Sequence, residues 1–129
     1  MNVRKIEKED MNYINSWWVS HNWQPVHPYM LSPDGYIVTS GEKRFVAGWY
    51  GTTNSKTAIM EWIVKNPRCT REEVDESLSL LCEAIEQRAK SDNYKAIATI
   101  IEHKNLKKFL SNRSFTEGDK KMDTYLKIL

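Results

Sequence analysis

The chain has 129 residues, a length typical of one domain, and we expect residues 1–129 to form a single one. Its composition, 40% hydrophobic and 28% charged, excludes a disordered, collagen-like or disulfide-scaffold protein. The net charge of +2 is too balanced to favour nucleic-acid binding. No segment is long and apolar enough to span a membrane, and the charged first ten residues do not resemble a signal peptide, so we expect a cytoplasmic protein.

Cysteine and histidine usage gives no metal-binding pattern. Cys69 and Cys82 are the only cysteines, and they form no C-x-x-C pair. The three histidines are scattered along the chain without the spacing of a ligand set. We therefore expect two free thiols in a reducing compartment and no metal site.

The first part of the chain predicts one strand and one helix. Residues 3–6 alternate as in a short strand, and Asp10 is a candidate cap for the helix that follows. Ile14, Trp17 and Trp18 recur at helical spacing. They indicate the apolar face of this helix.

Three strands are predicted in the middle of the chain, after a proline-rich loop at 21–34. They cover residues 36–39, 44–50 and 57–64. The sequence Ser-Gly-Glu-Lys at 40–43 predicts a hairpin turn between the first two of them.

The clearest helix begins after Thr70. Thr70 and Glu73 fit the capping-box pattern, in which each side chain accepts the backbone N–H of the other residue. Apolar residues continue at helical spacing to about Lys90, so we expect a helix of this length.

The last part of the chain predicts a strand at 95–101, buried on both faces, a short helix at 104–112 and a final strand at 119–129. The full order is therefore β-α-loop-β-β-β-α-β-α-β, which joins antiparallel strands to a βαβ crossover. We expect an α/β or α+β fold, with a mixed central sheet and helices on both of its faces.

Several stretches carry a family resemblance through their order and spacing. They are Ser16-Trp17-Trp18 with Trp23 and Pro25, Gly35-Tyr36-Ile37-Val38, Ala47-Gly48-Trp49-Tyr50, Glu61-Trp62-Ile63-Val64-Lys65-Asn66-Pro67, and Leu106 with Ser114-Phe115. Over nearly the whole chain they resemble the GNAT superfamily of acyl-CoA-dependent N-acyltransferases. The chain is most similar to the small, Trp-rich GNAT-like proteins of bacteriophages.

The resemblance implies acetyl-CoA as co-substrate, an amine as acceptor and no metal. In this family the acyl-CoA lies in a cleft where two neighbouring parallel strands separate. The pantetheine would bond to the backbone of Trp62, Ile63 and Val64, and the pyrophosphate would lie at the start of the following helix. The residues implied there are Arg68, Cys69, Thr70, Arg71 and Glu72.

This loop departs from the family pattern R/Q-x-x-G-x-G/A. It contains no glycine, so side chains would crowd the phosphates, and Glu72 and Glu73 would repel an anion. One interpretation keeps the pyrophosphate on the helix N-terminus, with Arg68 and Arg71 adding charge-assisted contacts. The other is an ordinary capped helix start that binds nothing.

Glu61 is the candidate catalytic base. It resembles the glutamate base found at the matching position of some histone-acetylating members of the superfamily. A half-buried carboxylate flanked by apolar residues should have a raised pKa, although a solvated or lysine-paired glutamate is the alternative. The tyrosine that often serves as the acid is replaced by Leu110, which leaves Ser111 and Tyr125 as hydroxyl candidates.

Aromatic residues cluster in the segment that binds the acceptor in this family. The candidates for an acceptor pocket or a protein-binding patch are Trp18, His21, Trp23, His27 and Tyr29. The helical spacing also requires one or two of the tryptophans in the core, and the histidines could equally be solvated.

The resemblance implies an enzyme that moves an acetyl group from acetyl-CoA to an amine of a small molecule or a protein. The alternative is a catalytically inactive phage effector of the same fold, which binds a host protein through its Trp-rich segment. A third hypothesis, single-stranded nucleic-acid binding on tryptophans, is disfavoured by the balanced charge. Because proteins of this family are frequently dimers, a homodimer is expected as well.

Overall fold

A computed structural model describes residues 1–101, 104–118 and 125–129. Its contacts divide the chain into two compact units, Met1–Thr99 and Ile100–Leu129, which we call the first and second unit. The elements of the first unit are β1 Asn2–Lys5, α1 Asp10–Ser20, β2 Asp34–Ser40, β3 Lys43–Gly51, β4 Thr57–Lys65, α2 Arg71–Ser91 and β5 Ala96–Ala98. A single 3₁₀ turn, Pro28–Met30, lies in the loop after α1.

The sheet has the strand order β1-β2-β3-β4-β5. The pairs β1–β2, β2–β3 and β3–β4 are antiparallel, whereas β5 is parallel to β4 and is reached through α2. This arrangement confirms the predicted mixed sheet, in which an antiparallel meander is followed by a βαβ crossover. The hairpin predicted at 40–43 is also present, and Gly41 has the left-handed φ of 59° that such a turn favours.

The two helices of the first unit cover opposite faces of the sheet. From α1, the side chains of Ile14, Trp17 and Trp18 form a buried cluster with strand residues, which we call the core cluster. Its strand members are Ile37, Ala47, Trp49 and Val64. From the other face, Leu81 of α2 approaches Gly48 of β3. Successive residues of β3 therefore point to different helices, as the alternation of a strand requires.

Asp10 is the first residue of α1 and not its cap, because the cap position belongs to Glu9. The Asp10 carboxylate is fully buried and accepts hydrogen bonds from Arg4 at 2.7 and 2.9 Å and from Arg44 at 2.7 Å. It also accepts the backbone N–H of Glu7 at 2.8 Å. These donors, Arg4 above all, hold the pKa of Asp10 well below its usual range.

The strand predicted at 95–101 is shorter in the structure than the sequence indicates. The strand predicted at 95–101 is reduced to Ala96–Ala98 and is not buried on both faces, since both alanines are exposed. A strand this short and small pairs only with β4 in the described part of the chain.

In the second unit, α3 spans Lys104–Asn112, as predicted, and buries Leu110. Residues 125–129, the described end of the strand predicted at 119–129, form no regular element. Residues 119–124 of that prediction lie outside the described ranges. No helix in those ranges combines the length and the apolar character needed to cross a membrane.

Candidate functional site

The strand β4 is longer than the parallel strand beside it. Pairing between the two runs from Thr57 and Ala96 to Ile59 and Ala98, whereas β4 continues to Lys65. After Ile59, the β4 edge that faces away from β3 therefore has no strand partner within the described ranges. Such an edge presents backbone N–H and C=O groups to an extended ligand.

The free part of β4 contains a β-bulge. The register between β3 and β4 shifts, so that two residues, Trp62 and Ile63, lie opposite the single residue Gly48. Trp62 has a φ of 57°, in the left-handed region that bulky residues rarely adopt. Such a conformation costs about 1–3 kcal/mol and persists only where the surrounding structure holds it. A bulge also changes the direction of the neighbouring backbone groups.

The bulge sends its two residues to opposite faces of the sheet. The indole of Trp62 packs against the core cluster on the α1 face and donates its Nε1–H to the carbonyl of Met30 at 3.3 Å. Ile63 lies on the α2 face. A Cβ added to Gly48 would lie 3.1 Å from Leu81 and 3.3 Å from Ile63, which shows how closely these side chains cover that glycine.

Glu61 immediately precedes the bulge and pairs with Trp49 across the β3–β4 ladder. Directly paired residues project to the same face, so the Glu61 side chain lies on the α1 face. Its Oε1 atom is 3.7 Å from the position that a Cβ of Gly51 would take. Burial raises the pKa of the Glu61 carboxyl above its usual value. A carboxylate of this kind is suited to accept a proton from an ammonium group.

The start of α2 contains the predicted capping box. Thr70 accepts the N–H of Glu73 at 3.2 Å, and the Glu73 carboxylate accepts the N–H of Thr70 at 3.0 Å. Lys43, at the beginning of β3, forms an ion pair with the same carboxylate and lowers its pKa. The capping box therefore occupies two backbone donors of this helix start, and Lys43 balances the charge of Glu73.

The remaining backbone donors of the helix start are the N–H groups of Arg71 and Glu72, whose positions in the first turn have no intrahelical acceptor. The side chains of Arg68, Arg71 and Glu72 are exposed. Cys69 is partly buried, and burial raises the pKa of its thiol. Residues 68–72, the five singled out from the sequence, thus run from the loop before α2 into its first turn. This segment exposes two arginine side chains close to two backbone N–H groups that have no intrahelical acceptor.

The structure places the aromatic candidates in different environments. Trp18 is 2% exposed and stacks on Trp49 with ring centroids 5.8 Å apart. It therefore belongs to the core, and the proposal that Trp18 lines an acceptor or partner surface is wrong. The apolar stripe of α1 explains this position, since Trp18 continues the stripe that Ile14 begins. Trp23 is 39% exposed and lies 5.0 Å from the ring of His21.

The remaining aromatic candidates lie at the end of α1 and in the loop after it. His21 contacts β4, because its Nε2 lies 3.2 Å from the carbonyl oxygen of Lys65. His27 accepts the N–H of Tyr29 at 3.1 Å and so begins the 3₁₀ turn. Tyr29 itself is 78% exposed. Of the two histidines His21 and His27, His21 is therefore the one that contacts β4, the strand that contains Glu61.

A cavity of about 290 Å³ lies on the α1 face, between the β1–α1 connection and the loop at 28–35. Its apolar lining consists of Ile6, Met11, Pro28, Leu31, Pro33 and Trp49. Glu7, Lys8 and Ser32 add polar groups. Because Trp49 lines the cavity and is also the cross-strand partner of Glu61, the cavity and the carboxylate lie on one face of adjoining strands.

The sequence did not single out Trp49 and Met30 as site residues. Strand alternation could have placed Trp49 on the face of Glu61 if the pairing register had been known, whereas nothing in the sequence marks the Met30 carbonyl. The acid candidates Ser111 and Tyr125 belong to the second unit, and both are exposed. Among the described residues, no group of three or more histidine, cysteine or acidic side chains could hold a metal ion.

No protein-family model and no curated protein matches this sequence. Solved structures do match the fold. An Escherichia coli ribosomal-protein-S18-alanine N-acetyltransferase aligns with a TM-score of 0.72 and 12% identity, over 92% of this chain and 79% of its own. An Acinetobacter haemolyticus aminoglycoside 6′-N-acetyltransferase aligns with a TM-score of 0.62 and 20% identity, over 99% of each chain.

A third similar structure is that of the Mycobacterium tuberculosis protein Rv2747, solved in complex with CoA. It aligns with a TM-score of 0.73 and 14% identity, over 96% of this chain and 76% of its own. The chain therefore has the α+β fold of the GNAT N-acetyltransferases, in agreement with the resemblance seen in the sequence.

Proposed function

We propose that this protein is an acyl-CoA N-acyltransferase that moves an acetyl group from acetyl-CoA to an amine. The observation that carries this proposal is the free, bulged edge of β4 next to Glu61. One strand thereby offers unpaired backbone groups for an extended donor and a partly buried carboxylate for a proton. The fold supports the proposal, since two of the proteins of similar structure reported above are N-acetyltransferases and a third was solved with CoA.

The pantetheine arm is an extended chain with two amide groups, so it can pair with a strand edge as another strand would. In our proposal it lies along Trp62, Ile63 and Val64, in the space that opens where β5 ends. The bulge would turn a backbone N–H towards the thioester carbonyl. This donor would stabilise the negative charge that develops on the carbonyl oxygen.

The pyrophosphate would lie at the start of α2, near residues 68–72. The N–H groups of Arg71 and Glu72 and the positive end of the helix dipole would face it. The exposed guanidinium groups of Arg68 and Arg71 would add charge-assisted contacts to the phosphates. Because Glu73 is paired with Lys43, its charge opposes the anion less than the sequence alone suggests.

In the chemical step, Glu61 accepts a proton from the acceptor ammonium, directly or through a water. The neutral amine nitrogen then attacks the thioester carbon and forms the new C–N bond. The nitrogen of the tetrahedral intermediate releases its remaining extra proton to solvent as the C–S bond breaks, and CoA leaves as a thiolate that is then protonated from solvent. A thiolate is stable enough to leave without a dedicated acid, so the absence of a tyrosine at Leu110 is compatible with this route.

The acceptor would approach from the α1 face, where Glu61, Trp49 and the cavity lie. The alternative, a binding module that docks through a Trp-rich segment, is not favoured by the structure. Both Trp17 and Trp18 are buried in the core cluster, which leaves Trp23 as the one exposed tryptophan of that segment.

Calorimetric titration of the purified protein with acetyl-CoA, and with desulfo-CoA alongside, tests the proposal. We expect micromolar binding of both ligands. The double variant Arg68→Gln/Arg71→Gln should weaken binding about tenfold, and less at high salt, because two exposed cations face a polyanion. The matched control is Lys90→Gln, which removes a charge from the opposite end of α2 and should leave binding unchanged. No heat at millimolar ligand would contradict the proposal.

A further inference from the structure

We propose that Trp62 is a positioning residue that ties the β4 bulge to the 3₁₀ turn at Pro28–Met30, and so aims the backbone N–H groups of the bulge at the acyl carbonyl of the donor. The inference rests on the proposed function, because it concerns how the same strand holds acetyl-CoA. It assigns to the Trp62 side chain a task that is separate from the backbone contacts of the pantetheine.

The backbone conformation of Trp62 needs an external support. Its φ of 57° is one that glycine adopts freely and a bulky residue does not. A tryptophan at this position is therefore unfavourable for the local backbone, and contacts of its side chain offset that cost. The indole does so in two ways, by packing against the core cluster and by donating Nε1–H to the Met30 carbonyl.

The turn that accepts this hydrogen bond is itself well held. Met30 donates its N–H to the carbonyl of His27 at 2.8 Å, and the His27 ring accepts the N–H of Tyr29 at 3.1 Å. Pro28 occupies the first position of the turn, where its fixed φ favours this geometry. The indole of Trp62 is thus attached to a turn whose backbone is itself hydrogen-bonded.

The same turn borders the acceptor side of the proposed site. Pro28 and Leu31, on either side of Met30, line the cavity on the α1 face. The Trp62 indole therefore joins the donor strand to the wall of that cavity. Through this hydrogen bond, the conformation of the bulge depends on the position of the loop that contains the 3₁₀ turn.

The test compares the affinities of acetyl-CoA and CoA, which differ by the acyl group alone. We expect the wild-type protein to bind acetyl-CoA about fivefold more tightly, the ratio that one hydrogen bond of ordinary net strength gives. Trp62→Phe keeps an aromatic ring but removes the N–H donor. In this variant the ratio should fall towards one, whereas the Kd of CoA, which has no acyl carbonyl, should change by a smaller factor than the ratio does.

Trp62→Gly is the second variant, since glycine accepts the left-handed backbone but has no side chain to anchor it. It should also lose the preference for acetyl-CoA. Asn93→Gly is the matched control, because Asn93 has a φ of 65° in the turn after α2 and its replacement leaves β4 untouched. This control should keep the wild-type ratio.

The outcomes separate the two proposals. If the wild-type protein binds neither ligand, the proposed function fails and this inference fails with it. If the wild-type protein prefers acetyl-CoA and both Trp62 variants keep that preference, only the positioning role is overturned. A wild-type ratio of one, or a parallel loss of CoA affinity and Tm in Trp62→Phe, also overturns it, because the indole would then serve packing alone.

Discussion

The indole of Trp49 lies so close to the backbone of Gly35 that a side chain there would collide with it. A Cβ on Gly35 would be 2.6 Å from Nε1 of Trp49 and 2.7 Å from Cδ1 of Ile6. Gly35 and Trp49 are directly paired across β2 and β3, and Trp49 is in turn paired with Glu61 across β3 and β4. The bare glycine thus helps to place the tryptophan that lies beside the candidate base.

Gly35→Ala is therefore expected to destabilise the protein. Added volume in a packed core typically costs about 1–3 kcal/mol of unfolding free energy, which urea denaturation followed by tryptophan fluorescence would measure. Gly51→Ala is the control on the neighbouring strand, because its Cβ would meet Ile59 at 3.5 Å, an ordinary contact distance. Equal stability of the two variants would show that Trp49 can move away from Gly35 without loss.

Asp10→Asn should lower the free energy of unfolding by about 3 kcal/mol at neutral pH. The buried carboxylate holds two arginines, and an amide of the same shape leaves both of them without a counter-charge. Glu9→Gln is the control, since Glu9 is exposed and contacts Arg44 only at 3.3 Å. It should change stability by less than about 1 kcal/mol, as exposed ion pairs do.

The same carboxylate predicts a pH dependence. Because the pKa of Asp10 is lower in the folded chain than in the unfolded one, its stabilisation is complete above the unfolded pKa of about 3.9. It is lost as the pH falls from there towards the folded value. Unfolding free energies measured between about pH 6 and pH 2 should therefore fall more steeply for wild type than for Asp10→Asn. Parallel curves would contradict the assignment.

The two tryptophans Trp18 and Trp23 should respond very differently to alanine. Trp18→Ala removes a fully packed ring and is expected to cost about 3–5 kcal/mol. Trp23→Ala removes a ring that is 39% exposed, and we expect a loss below about 1 kcal/mol. Thermal unfolding monitored by circular dichroism measures both. A large loss of unfolding free energy in Trp23→Ala would mean that the contact of Trp23 with His21 stabilises the fold.

Glu61→Gln should reduce acetyl transfer by about 10²-fold if Glu61 is the base, with the Kd of acetyl-CoA unchanged. The release of free CoA thiol in the presence of a panel of amines measures this. Glu42→Gln, at the exposed tip of the β2–β3 hairpin, is the control and should be fully active. Wild-type turnover in Glu61→Gln would remove the carboxylate from the mechanism.

The acid limb of the turnover profile gives a second check on Glu61. The base acts in its ionised form, so activity is lost as the pH falls through its pKa. Because burial raises that pKa, the limb should lie above the usual glutamate value of about 4.3. The limb should be absent from the residual activity of Glu61→Gln. A limb at the ordinary glutamate value would mean that the carboxylate is solvated during catalysis.

Three features whose determinants lie close together in the sequence were predicted correctly. The capping box of Thr70 and Glu73, the hairpin at 40–43 and the apolar stripe of α1 are all formed as the sequence indicates. Their determinants lie within a few residues of one another, so local propensity is sufficient. The strand predicted at 95–101 was too long, because an apolar run does not reveal where its partner strand stops pairing.

The order of elements from β1 to α3 and the start of α2 were thus determined by the sequence itself, and the family resemblance singled out Glu61 as the candidate base. Only the tertiary structure decided that Trp49 lies beside Glu61, that Trp62 adopts a left-handed backbone, and that Asp10 is buried between Arg4 and Arg44. These features depend on strand register and on contacts between distant segments. A shift of one residue in register would reverse every side chain of a strand, and no local pattern specifies where a bulge introduces that shift.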